Sequence, residues 1–183
     1  TQAAFAQQIP VNTIEEVMVL GRGETRQVQV IGANQIDRLP AGTSPLKAIE
    51  KMPGVNFQSA DPFGAYEWSA RIAIRGFDRT RLGFTMDGVP IGDMTYGNHN
   101  GLHISRAVSS ENVGRVVLSQ GAGALGTAST SNLGGTLEFH TGDPAAKFGV
   151  RTALTGGSDS MRRGFLRIDS GEFAAGTRLF ASY

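Results

Sequence analysis

The sequence predicts a small α/β unit with more strand than helix, followed by antiparallel strands of a different texture. Three observations carry this. Strand-like runs dominate from Gln27 to Thr141, while the segment "TSPLKAIEKMPG" carries the start and stop marks of a helix. Within "RLGFTMDGVPI", Leu82, Phe84 and Met86 alternate up to Asp87-Gly88, and Val89 and Ile91 continue beyond it, which is the strongest short-range hairpin signal. From Phe148 onward, segments of about eight residues set apolar faces against charged ones between tight turns.

Taken in order, residues 1–6 end in Ala4-Phe5-Ala6, the small-x-small pattern read by signal peptidase, and are expected to be the remnant of a secretory signal. The mature chain would then start near Gln7 and work outside the cytoplasm. Residues 7–26 form a tail containing "IEEVMVLGRG". Val17 and Val19 favour an extended chain there, Gly21 and Gly23 close it, and a lone strand needs a sheet edge from elsewhere. "RQVQVIG" then alternates Val28 and Val30 like a half-buried strand. In the helical segment Ser44 can cap, Pro45 suits the first position, Leu46, Ile49 and Met52 share a face, and Pro53-Gly54 ends it.

The runs "GVNF", "ARIAIRGF", "NVGRVVLS" and "GGTLEFHT" complete the first unit as strands. In the last region Phe148, Val150, Thr152 and Leu154 oppose Lys147 and Arg151. Gly164, Leu166 and Ile168 oppose Arg163, Arg167 and Asp169, and Leu179, Ala181 and Tyr183 share a third face. Such segments suit a membrane barrel wall with a polar lumen, and equally a meander in a soluble β-protein. In lipid, three strands would leave an open edge, so the membrane reading requires a larger closed structure.

Composition narrows the function. The chain has 183 residues, 40% of them apolar, a formal charge of +1, 25 glycines and no cysteine. The weak charge gives no long-range pull toward nucleic acid, and the lack of cysteine removes disulfides and thiolate chemistry. "GAGALG" (Gly121 to Gly126) follows a strand-like run as a dinucleotide fingerprint would, with Glu138 downstream, but "TASTSNLGG" lacks the helix that must present amides to a pyrophosphate. "HNGLH" spaces His99 and His103 as zinc ligands on a helix. Asn100 cannot replace a catalytic glutamate, however, so two polar histidines on an exposed loop are expected. Arg71, Arg75, Arg79 and Arg81 around Phe77 and Phe84 are expected to pair with carboxylates rather than with nucleic acid. No nucleophile elbow or carboxylate pair stands out, which argues against an enzyme.

Read together and in order, these segments resemble the N-terminal part of a TonB-dependent outer-membrane receptor. "IEEVMVLG" is similar to the TonB box and "PLKAIEKMPGVNF" to the opening of the plug. "IAIRGF", "FTMDGVPI", "NVGRVVLSQGAGALG" and "SNLGGTLEFHTGDP" resemble its later landmarks. The resemblance implies an α+β plug domain over 27–144, a small mixed β-sheet with short helices. The first strands of an antiparallel 22-stranded transmembrane β-barrel would follow over 145–183.

The resemblance also implies roles. Ile14, Glu15, Glu16, Val17, Met18, Val19 and Leu20 (box about 14–21) would add as a strand to TonB, joined to the plug by about eight residues that reach ~28 Å at most. Phe63, Tyr66, Trp68, Asp93, Tyr96 and His99, on turn-rich aromatic segments, would face a small-molecule ligand, with a ferric siderophore as first guess and carbohydrate or cobalamin behind it. Arg75 and Arg115 match arginines of the family pattern that make plug-barrel ion pairs. Gln120 and Ala122 stand where the family usually has arginine and proline. That departure predicts that Arg75→Ala loosens the plug more than Gln120→Ala. Further implications are a monomer in the bacterial outer membrane, contact with its lipid, and neither cofactor, metal nor nucleic acid. The rival reading is a secreted, non-transporting β-rich binding module.

Overall fold

The computed structural model describes residues 27–94, 101–121, 127–129 and 132–183. Its main sheet comprises β1 (Gln27–Gly32), β5 (Leu82–Met86), β6 (Val89–Pro90), β7 (Val113–Gln120) and β8 (Gly135–Thr141), in the order β1-β7-β8-β5-β6. It is mixed: β5 runs parallel to β8 and the other pairs are antiparallel. A second sheet joins β2 (Val55–Gln58), β3 (Arg71–Ile74) and β4 (Phe77–Asp78). Helix is confined to α1 (Ala33–Ile36), α2 (Ile104–Ala107) and three 3₁₀ turns among the described residues.

The predicted hairpin forms: Thr85 pairs with Pro90 and Met86 with Val89, and both turn residues, Asp87 and Gly88, take positive φ. Alternation then decides the core. Leu82 and Phe84 of β5, Val116 and Leu118 of β7, and Leu137 and Phe139 of β8 lie on one face. They are buried against Ile31, Ile36, Leu46, Ile49, Ile74 and Ile104. Each large side chain buried there contributes roughly 1.5–3 kcal/mol.

The "TSPLKAIEKMPG" segment differs from the predicted helix. It forms a 3₁₀ helix, Pro45–Ile49, with the Ser44 hydroxyl accepting from the Leu46 N–H at 3.3 Å. Bonds from Lys47 N to Ser44 O, Glu50 N to Lys47 O and Met52 N to Ile49 O continue the three-residue repeat. Leu46, Ile49 and Met52 are spaced by threes, so a turn of three residues aligns them on one line toward the core, which an α-helix would fan out.

The last three strands, β9 (Phe148–Gly156), β10 (Arg162–Phe173) and β11 (Thr177–Ser182), form their own antiparallel sheet in the order β11-β10-β9. On β10 Phe165, Arg167 and Asp169 are buried, while Leu166 and Ile168 are about 40% exposed. Phe148, Val150, Leu154 and Leu179 are more exposed still. The polar face is thus turned onto the rest of the molecule and the apolar face outward, the reverse of a soluble sheet packed on a core.

Candidate functional site

The loop 59–69 is built around one carboxylate. Asp61 accepts from the Ser59 hydroxyl at 2.6 Å and from the N–H groups of Phe63, Ala65 and Tyr66, each at 3.0 Å. Burial would raise its pKa, but the hydrogen bonds from Ser59, Tyr66, Ala65 and Phe63 outweigh burial and hold it below the usual carboxylate value. Ser69 closes the loop, its hydroxyl accepting from the Ala60 N–H and donating to the Tyr66 carbonyl. On the outside, Glu67 pairs with Arg106 of α2 at 3.1 Å.

This frame presents two of the predicted ligand-facing residues together. Tyr66 and Trp68 are 54% and 58% exposed, and their rings lie 6.4 Å apart at an interplanar angle of 13°. Phe63 is half-buried and lines a crevice of about 340 Å³ with Asp61, Ser105, Met161 and Arg163. Asp93 is half-buried next to the Gly92↔Gly101 bridge. Tyr96 and His99 lie outside the described residues, as do Ile14 to Leu20 and Ala122 to Gly126 of the glycine-rich run.

Two sequence expectations need correction. His103 is not on an exposed loop: it is 4% exposed and caps α2, its Nδ1 accepting from the Ser105 N–H at 3.3 Å. Burial pushes its pKa below the ordinary histidine value, Arg79 and Arg106 adding to the shift and Glu67 opposing it. The four arginines of "ARIAIRGFDRTRLGF" do not gather around Phe77 and Phe84. Phe84 is in the core, Phe77 is at the surface, and Arg79 donates to the Ala70 carbonyl at 3.2 Å. Arg71 and Arg79 line one crevice with Asp78, and the hydrogen bonds from Thr80, helped by the charges of Arg81 and Arg79, hold the Asp78 carboxyl below its usual range.

Arg75, in the turn after β3, donates from Nε to the Gln120 side-chain carbonyl at 2.8 Å, and Gln120 Nε2 donates to the Pro53 carbonyl at 2.6 Å. Gln120 is 2% exposed. Arg115 is exposed on β7, opposite Gly32 and His140 in register. The residues that sequence reasoning missed are Glu111 and Asn112, which receive arginines from β9 and β10. The alternating Arg163, Arg167 and Asp169 signalled a polar face, but nothing in "VSSEN" marked its target.

The family model described as TonB-dependent Receptor Plug Domain matches residues 21–136. The chain belongs to this family. The mixed sheet with its few short helices is the plug fold, and the loop 59–69 joins β2 to β3 of the second sheet. Among curated proteins none matches. Similar solved structures include the ferripyoverdine receptor of the outer membrane of Pseudomonas aeruginosa. It is 22% identical with a TM-score of 0.63, over 86% of this chain and 20% of that one. The alcaligin outer membrane receptor of Bordetella pertussis is 22% identical with a TM-score of 0.62, over 88% and 27%. The siderophore receptor PirA of Acinetobacter baumannii is 21% identical with a TM-score of 0.58, over 85% and 24%. The plug chain therefore spans a fifth to about a quarter of the length of these receptors.

Proposed function

We propose that this chain is the N-terminal part of a TonB-dependent transporter of the bacterial outer membrane that imports a ferric siderophore. Residues 27–144 are the plug, 145–183 the first strands of the enclosing barrel, and 7–26 the tail whose box, Ile14 to Leu20, engages TonB. The observation that supports this most is the polarity of β9 to β11, with a charged face turned onto a plug-family domain and an apolar face turned outward. The three similar structures named above, receptors for ferripyoverdine, for alcaligin and for a siderophore, favour iron over carbohydrate or cobalamin.

In this mechanism the ligand binds from outside against Tyr66, Trp68 and Phe63, on a loop that Asp61 keeps ordered before binding, so little entropy is lost on contact. Asp93, Tyr96 and His99 are assigned to the same ligand from their sequence. The box then adds as a strand to TonB through main-chain hydrogen bonds worth roughly 0.5–1.5 kcal/mol each, a modest sum that suits a partner which must engage and release. Arg75 and Arg115 hold the plug in the barrel, Arg75 acting together with Gln120. Tension on the tail reaches β1 first, since β1 follows it directly and, among the described strands, pairs with β7 alone.

The test is radio-iron uptake by a deletion strain carrying the full-length receptor, with ferripyoverdine and ferric alcaligin as probes and cobalamin and maltodextrin as competitors for the assignment. Uptake of an iron chelate that Val17→Pro abolishes supports the proposal, because proline removes a ladder donor from the box. Uptake of only cobalamin or the sugar overturns the siderophore assignment, and uptake unaffected by Val17→Pro overturns the placement of the box.

A further inference from the structure

The strands β9 to β11 meet the plug at one turn. The 3₁₀ turn Ser110–Asn112 stands immediately ahead of β7. Arg163 Nη2 donates to Glu111 Oε2 at 2.7 Å, Arg151 donates to the Glu111 backbone carbonyl, and Arg167 Nη1 donates to Asn112 Oδ1 at 3.3 Å. From β11, Ser182 accepts from Asn112 Nδ2 at 2.8 Å. Arg167 also reaches the Asp143 carbonyl at 3.0 Å and the carboxylate of Asp169, so the same side chain grips the segment that leads from the plug into β9.

The donors are held in place before they meet the plug. The Arg167 guanidinium lies 3.8 Å from the Phe180 ring centroid, and that of Arg151 lies 5.7 Å from Phe165. Arg167, Asp169 and Asn112 are each at most 7% exposed. The plug supplies a matching seat at Gly42, whose φ is +85°. A Cβ there would stand 2.6 Å from Arg163 Nε, so the bare Cα lets Arg163 pass over it to Glu111. If the plug departs, Arg167 keeps Asp169 and Phe180 on the wall but loses the Asn112 side chain, and a buried guanidinium stripped of a fixed partner makes this contact costly to break. Among the described strands β1 is at the edge of the sheet, and its leading residue Gln27 pairs with Gln120, at the end of β7 away from the turn, with Val30 57% exposed.

We infer that the Ser110–Asn112 turn is the fixed anchor of the plug on the barrel wall. It stays engaged through the transport cycle, so that displacement driven from the N-terminus is confined to the β1 flank. The inference rests on the proposed transport function.

The test uses the full-length receptor made cysteine-free except for an introduced pair, joined by a short, reducible bifunctional thiosulfonate. Asn112→Cys with Ser182→Cys ties the turn to the wall; Val28→Cys with Ser119→Cys ties β1 to β7. The uncross-linked receptors must import the iron chelate, and their failure to do so speaks against the transport reading and not against the anchor. With import established, the anchor predicts that joining 112 to 182 leaves uptake intact while joining 28 to 119 abolishes it until reduction. Loss of uptake on joining 112 to 182, restored by reductant, overturns the anchor, as does a pair that never cross-links in the resting receptor or a harmless 28 to 119 link. In parallel, Glu111→Gln and Arg163→Gln should each increase vancomycin entry, with the double variant no leakier than either single. Additive leak overturns the coupling.

Discussion

Replacing Gln120 tests how the plug is held together between its two small sheets. Gln120→Ala removes the bond to the Pro53 carbonyl and the bond from Arg75 Nε, at 2.6 and 2.8 Å, from a site that is 2% exposed. A neutral bond is worth roughly 0.5–1.5 kcal/mol net and one to a charged group roughly 1.5–3 kcal/mol. The combined loss is about 3 kcal/mol, or about a hundredfold in the local opening equilibrium at 1.4 kcal/mol per tenfold. Arg75→Ala deletes the charged bond but leaves Gln120 on Pro53, and because Arg75 is exposed its removal admits water to the freed carbonyl. The loss through this one bond is about 1.5 kcal/mol, or about tenfold. Counted on these two bonds, Gln120→Ala is expected to open β7 more than Arg75→Ala, whereas the sequence predicts more antibiotic leak from Arg75→Ala. Hydrogen exchange of peptides covering β7 in the purified full-length receptor reads both variants, and Gln120→Glu, which keeps the acceptor for Arg75 and loses the donor to Pro53, should fall between them. Faster exchange in Arg75→Ala than in Gln120→Ala would refute this reasoning.

Three further outcomes follow from the geometry. Asp61→Ala removes four hydrogen bonds that shape the loop 59–69, so ligand affinity should fall about tenfold or more, while maximal uptake at saturating ligand is retained. Titration of the receptor with the transported chelate checks this. His103 has a folded-state pKa below its unfolded value, so the unfolded chain binds the proton first. The stability it contributes is present above about pH 6.5 and is lost as the pH falls through the folded pKa. Plug exchange, corrected for intrinsic rates, should therefore accelerate on acidification, and less so in His103→Asn, which keeps an acceptor for the Ser105 N–H. Gly135→Ala places a Cβ 2.3 Å from the Ser119 carbonyl at a φ of +132°, where backbone faces backbone and nothing can rotate away. A loss of about 3 kcal/mol or more is expected, seen as vancomycin sensitivity with barrel heat-modifiability preserved.

Local chemistry was legible in the sequence. Asp87-Gly88 announced its hairpin, Ser44 and Pro45 announced the start of a turn, and the alternation through Arg163, Arg167 and Asp169 announced a two-faced sheet. What depends on distant partners was not. The spacing of Leu46, Ile49 and Met52 fits two kinds of helix, and packing selected the tighter one. His103 reads as a loop residue until α2 folds over it. Glu111 carries no motif, and its role exists only because β9 and β10 return across it. The same limit applied to the loop 59–69, proposed to face the ligand: its aromatics were visible in the sequence, but the Asp61 frame that presents them required the fold.

The order of strands in the main sheet also governs when the plug can form. Val28 finds its neighbour in Ser119, and Phe84 finds its own in Leu137, so neither β1 nor β5 has a partner in this sheet other than the short β6 until the chain has emerged beyond them. Pairing across such separations is slow, because loop closure must precede the contacts that reward it. A chain delivered N-terminus first would therefore keep β1 without its partner in this sheet until β7 arrives, and β5 without β8 until later still. β7 lies between β1 and β8 in the sheet, so its arrival is what lets the early strand β1 join the later ones in one sheet.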